Sequence, residues 1–131
     1  MAEDEHINLP RRLVNQLLHA AQQHPSQVYW GIISGHDGNP EHCHALNEGP
    51  QPRMQVYSML RETLTQDREQ AWALYCSTTR EIVAPNSSEL ERMKIPRFLG
   101  ISLGTQGVLQ LRGWQVEDSQ LREREVMIHE D

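Results

Sequence analysis

The strongest constraint on the fold is a short, mostly apolar run, Val28-Tyr29-Trp30-Gly31-Ile32-Ile33-Ser34-Gly35, closed on both sides by turn residues. His24-Pro25 stands before it and His36-Asp37-Gly38-Asn39-Pro40 after it. A run of that length between such stops reads as a buried strand. Asp37-Gly38 is the strongest hairpin signal in the chain, so Cys43 to Leu46 returns as a second strand. A buried strand needs cover, and the flanking sequence supplies it. Leu13, Val14, Leu17, Leu18 and Ala21 fall on one helical stripe, with Asn8 as cap, Pro10 in the first turn and His24-Pro25 as stop.

The same reading continues along the chain. Pro50 and Pro52 lead into Met54, Val56, Tyr57, Leu60 and Leu64, a second amphipathic helix ending before Asp67. Trp72 to Ser77 reads as a central strand, and Ser87 to Met93 as a short helix capped by Asn86 or Ser87. Phe98–Leu103 and Val108–Val116 form a strand pair around Gly104-Thr105-Gln106-Gly107, and Arg124 to Ile128 adds an edge strand. Helices interspersed with strands predict a layered α/β domain with a mixed sheet. At 131 residues this is a single domain spanning 1–131.

Charge and composition exclude some functions. A net charge of -6 argues against nucleic acid as principal ligand, since phosphate binding wants a basic face. No apolar run approaches the ~20 residues of a membrane helix. Ala2-Glu3-Asp4-Glu5-His6 lacks the layout of a signal peptide, and two cysteines suit a reducing compartment, so a cytoplasmic location is expected.

The chemistry concentrates between Cys76 and Glu89. Cys76-Ser77-Thr78 is followed after seven residues by Asn86, and after two more by Glu89. That spacing resembles the signature of the JAMM (JAB/MPN-domain) zinc isopeptidases: His-Ser/Thr-His, seven residues, Ser, two residues, Asp. The resemblance extends over nearly the whole chain. Ile7-Asn8-Leu9-Pro10, a helix, His-Pro and a glycine-framed strand look like the family's first third. Ala45-Leu46-Asn47 and Gly107-Val108-Leu109-Gln110-Leu111-Arg112-Gly113-Trp114 resemble later strands, the latter as in bacterial members. The resemblance implies a three-layer mixed sheet flanked by helices, the JAB/MPN (cytidine-deaminase-like) fold.

It also implies where a metal would sit. The family's histidines fall on Cys76 and Thr78, its aspartate on Glu89 and its serine on Asn86. A catalytic zinc wants three protein ligands and an open position. Cys76 and Glu89 are capable of ligation, but a threonine hydroxyl is a poor zinc ligand. The family's general-base glutamate falls on Gln27 or Val28, neither of which takes a proton. With ligand and base both lost, the expectation is a catalytically inactive protein without cofactor. It would bind a protein partner, and the resemblance suggests the C-terminal tail of a ubiquitin-like sulfur carrier, or homodimerisation. The alternative is an active zinc metallohydrolase with a rebuilt ligand set.

Other residues carry weaker signals. His42 and His44 share one face of a strand and would chelate a metal only with a third ligand; otherwise they belong to a solvated hairpin. Cys76 as nucleophile would need a nearby base, and none is close in sequence. Trp30 and Trp72 are expected to face each other across the cleft, with Arg80 and Arg97 flanking the Cys76–Glu89 segment.

Overall fold

A computed structural model describes residues 6–23, 28–103 and 109–130. Its elements run β1 (His6–Pro10), α1 (Arg11–Gln23), β2 (Tyr29–His36), β3 (Asn39–Glu48), α2 (Met54–Gln66), β4 (Gln70–Thr78), α3 (Ser87–Met93), β5 (Arg97–Leu103), β6 (Leu109–Glu117) and β7 (Gln120–His129). The strands form a seven-stranded mixed sheet ordered β1-β7-β6-β5-β4-β2-β3. β4–β5 and β1–β7 are parallel and the other neighbours antiparallel.

Alternation along the central strands sends neighbouring residues to opposite faces. Ile33, Ala73, Tyr75, Leu99 and Ile101 cluster with Leu13, Val14, Leu17 and Ala21 of α1. Ile32, Leu74, Cys76 and Phe98 cluster instead with Tyr57 and Leu64 of α2 and with Leu90 and Met93 of α3. The Tyr57 hydroxyl donates to the Met93 carbonyl, tying α2 to α3. No helix among the described residues is long and apolar enough to cross a membrane.

The hairpin expected at Asp37-Gly38 is present. Both residues have positive φ, 54° and 79°, the requirement of the turn that matches strand twist. Asp118 and Ser119, with φ of 52° and 62°, make a second such turn between β6 and β7. The loop at 104–107 lies outside the described residues.

Three expectations need correction. The start of α1 is one: Pro10 ends a strand instead of opening the helix, which begins at Arg11. Ile7 and Leu9 are fully buried, and β1 pairs with β7 in register Ile7↔Val126 and Leu9↔Ile128. At the end of an edge strand, proline's missing N–H costs little. β7 is consequently longer than expected, and β1, not β7, forms that edge. Asn86 occupies the N-cap position of α3, but its side chain makes no capping hydrogen bond.

The third correction concerns the tryptophans. In the β2–β4 pairing Ile33 lies opposite Ala73 and Ser34 opposite Ala71, which leaves Trp72 as the extra residue of a bulge. The bulge resets the alternation, so Trp72 packs in the α1-side cluster while Trp30 packs on the other face. They do not face each other. Phe98 lies between Trp30 and Trp114 instead, with ring centroids at 6.3 and 5.6 Å.

Candidate functional site

β4 places Cys76 and Thr78 on one face near its C-terminal end, two residues apart. The chain then leaves the sheet through residues 79–86 and turns into α3, whose first turn carries Glu89. Two hydrogen bonds fix this departure. Thr78 Oγ1 accepts from the Arg80 N–H at 3.1 Å, and Ser102 Oγ donates to the Arg80 carbonyl at 2.8 Å. Ile82 folds back over Gly100, where a Cβ would stand 2.1 Å from its Cγ2. The loop thus forms a wall over β4 and β5 instead of projecting into solvent.

Between that wall and the segment leading into α2 lies a cavity of about 480 Å³. Cys76, Thr78 and Glu89 line it, together with Val28 and Trp30. The indole N–H of Trp30 donates to the Gly49 carbonyl at 2.9 Å, and the Gly49 N–H donates to the Val28 carbonyl at 2.9 Å. Those bonds hold Pro50-Gln51-Pro52 against the opening, where all three residues line it. Met54 and Val83 form an apolar rim, 41% and 75% exposed. Arg80 and Arg92 bring positive charge to the lining and Glu81 and Glu89 negative charge.

The motif-equivalent positions are therefore brought together, Asn86 excepted: it stands exposed and outside the lining. Gln27 lies outside the described residues. Val28 takes the wall position with an apolar side chain.

The donor chemistry of this cleft does not suit zinc. Burial pushes the Cys76 thiol up to about 12, so it is a neutral thiol at pH 7 and a poor nucleophile. Thr78 Oγ1 is engaged by backbone. Of the family's ligand positions only Glu89 holds a carboxylate, with Glu81 of the loop also in the lining, where three protein ligands are wanted. Among the described residues no three His, Cys, Asp or Glu side chains are grouped to hold a metal ion.

The histidine pair lies elsewhere. His44 stands opposite Ile32 on β3 and Cys76 opposite Trp30 on β4, with β2 between them. Two strand spacings alone separate them by roughly 10 Å, more than a shared metal allows. The trio of Cys76, Glu89 and a β3 histidine is not assembled.

His44 belongs to a different arrangement. Ser34, fully buried, donates its hydroxyl proton to Glu69 Oε1 at 2.8 Å. Its oxygen lies 2.7 Å from His44 Nε2, so the imidazole must be the donor there. Burial holds the His44 imidazole below the ordinary histidine value, with Glu69 opposing. This chain of bonds stitches β3 and β2 to the entry of β4. Cys43 likewise points to the core, donating to the Tyr75 hydroxyl at 3.2 Å, and burial raises its pKa.

Sequence reasoning missed the cleft's outer wall. Pro50, Pro52, Met54, Ile82, Val83 and Arg92 come from loops and helix ends whose approach depends on tertiary structure. The available signal was Ile82-Val83-Ala84-Pro85, an apolar stretch between the expected strand and short helix. Arg97, expected beside the motif, lies over the Trp72 ring at 4.4 Å and away from this cleft.

No protein-family model matches the chain, and no curated protein matches it. Solved structures do. The solution structure of protein DSY2949 from Desulfitobacterium hafniense superposes with a TM-score of 0.67 at 18% identity, over 95% of this chain and 94% of that one. A protein from Salinibacter ruber gives 0.62 at 13% identity, over 94% and 91%. The crystal structure of AF2198, a JAB1/MPN domain protein from Archaeoglobus fulgidus, gives 0.61 at 10% identity, over 95% and 98%. At these identities the likeness speaks for the fold alone. The chain has a JAB1/MPN-like fold, a mixed α/β architecture in which the described residues form three helices about a seven-stranded sheet.

Proposed function

We propose that this protein is a JAB/MPN-type pseudoenzyme, with the family's three-layer, cytidine-deaminase-like arrangement, that binds a protein tail in the Cys76–Thr78–Glu89 cleft without hydrolysing it. One observation carries the reading. The positions that would hold zinc line one cleft, yet present a neutral thiol, a backbone-engaged hydroxyl and a single carboxylate. An apolar cleft with an exposed Met54 and Val83 rim suits an extended segment with small side chains better than a charged small molecule. The occupant we favour is the Gly-Gly C-terminal tail of a ubiquitin-like sulfur carrier in the cytoplasm. Arg80 or Arg92 would meet its carboxylate.

The test is a fluorescence-anisotropy titration with a labelled peptide ending in Gly-Gly. Saturable binding is expected, lost in Ala84→Trp and weakened by Val83→Asp. Equal affinity for a peptide with an amidated C-terminus would remove the carboxylate from the account. No saturation with either peptide would remove the tail altogether and leave a dimer or other partner surface to examine.

A further inference from the structure

The two jaws of the cleft are built differently. In one, Asn47 Nδ2 donates to the Gln51 carbonyl at 3.0 Å, and Asn47 Oδ1 accepts from the Arg53 N–H at 2.8 Å. With the two bonds at Gly49, that jaw is tied to Val28, Trp30 and Asn47. The facing jaw, residues 81–85, makes no hydrogen bond to any described residue. Its ends are the opposite case. Arg80 is pinned through both its N–H and its carbonyl, and the Asn86 carbonyl accepts from the Glu89 and Leu90 N–H groups.

Between those fixed points the segment is held down by its side chains. Ile82 is buried over Gly100, Ala84 packs partly on the same core cluster, and Glu81 is attracted by Arg112 of β6. Val83 is turned outward. A main chain without internal bonds relies on water for its N–H and C=O groups, so lifting it costs little beyond the contacts of Ile82.

We propose that residues 81–85 form a hinged flap that lifts to admit the occupant of the cleft and closes over it. Arg80 and Asn86 are its hinges, Ile82 is its latch, and residues 50–53 are the jaw that stays still. The motion follows from the bonding of the two jaws, whereas its service as a gate rests on the tail-binding reading. Undocking one isoleucine shifts the closed-to-open ratio by about ten- to a hundredfold. The lifted form is then a minor state of about 1–10%, exchanging on the microsecond-to-millisecond scale of other lids.

NMR relaxation dispersion on the free full chain, read at isoleucine methyls and backbone amides, tests the motion. Exchange is expected at the Ile82 δ1 methyl and at the Val83 and Ala84 amides. The methyls of Ile32, Ile33 and Ile101, held in strands, should stay quiet, as should the Gly49 and Arg53 amides of the fixed jaw. Ile82→Val shortens the latch and should raise the lifted population about two- to tenfold. Stopped-flow mixing with the Gly-Gly peptide then tests the gate. Ile82→Ala should speed association and dissociation together, each about tenfold, with affinity nearly unchanged, because the latch is lost from the free and bound forms alike. No exchange at Ile82, or equal exchange in both jaws, would overturn the flap whatever the peptide does. Faster dissociation alone in Ile82→Ala would overturn the gate, since a wall that never lifts gives that result. Exchange at Ile82 in a chain that takes up no peptide would sustain the flap and strike the tail reading alone.

Discussion

Gly100→Ala tests whether the wall of the cleft is built as described. Gly100 sits on β5 between Cys76 of β4 and Arg112 of β6, so its backbone is held on both sides. An added Cβ would lie 2.1 Å from Ile82 Cγ2 and 3.2 Å from its Cβ and Cγ1. Carbon contacts settle at about 3.5–4.0 Å, so Ile82 must move by roughly 1.5 Å. The paired strands cannot yield that distance, but the loop can. Displacing a buried isoleucine and overpacking its site costs about 2 kcal/mol. Unfolding entropy of about 2.1 cal/mol/K per residue gives about 0.28 kcal/mol/K for a chain of this size. The melting temperature should therefore drop by about 7 °C in a thermal scan followed by circular dichroism. Ile82→Ala alone should cost about 2–3 kcal/mol, and the double variant little more than Ile82→Ala, because the clash has gone. Additive losses, or a Gly100→Ala variant as stable as the parent, would show that Ile82 does not lie over Gly100. Displaced into the cleft, Ile82 should also weaken peptide binding.

Further outcomes follow from the same geometry. With Cys76 pushed up to about 12, its reaction with a thiol reagent at pH 8 should be at least about a hundredfold slower in the native than in the unfolded chain. A fast native thiol mapped to Cys76 by mass spectrometry would contradict the burial argument. His44, held low by burial, takes up its proton in the unfolded chain first, so its contribution to stability declines as pH falls through about 6.5. His44→Gln should therefore lose less of its melting temperature between pH 7.5 and 5 than the parent; a parallel decline would refute this. Introducing Cys76→His and Thr78→His together, with Glu89 retained, supplies three ligand-capable groups at the cleft. The double variant should take up about one zinc per chain by metal analysis, whereas a variant that takes up none would show that these positions do not converge.

Much of the fold could be read locally because its signals are local. Leu13, Val14, Leu17 and Ala21 mark α1, Asp37-Gly38 marks the first turn, and the run from Val28 to Gly35 marks β2. β1 escaped because Pro10 is as natural at a helix start as at a strand end; only the parallel pairing with β7, over a hundred residues away, decides between them. Trp72 escaped because a bulge reverses the faces of a strand and has no signature in composition. The site divided along the same line. Cys76, Thr78 and Glu89 were legible as a spacing, and the fold brings them to one cleft. The outer wall was not, since Pro50, Met54 and Val83 reach it through the packing of loops on the sheet. The shared strand face of His42 and His44 was readable in sequence, whereas their separation from Cys76 by β2 was not.

Whether the cleft binds or cuts is decided most directly by intact-mass analysis of a Gly-Gly-linked ubiquitin-like fusion incubated with the protein and an equivalent of zinc. The fusion should be recovered whole at every time point. Cleavage after the second glycine, abolished by a chelator, would establish a working metal centre and contradict the account.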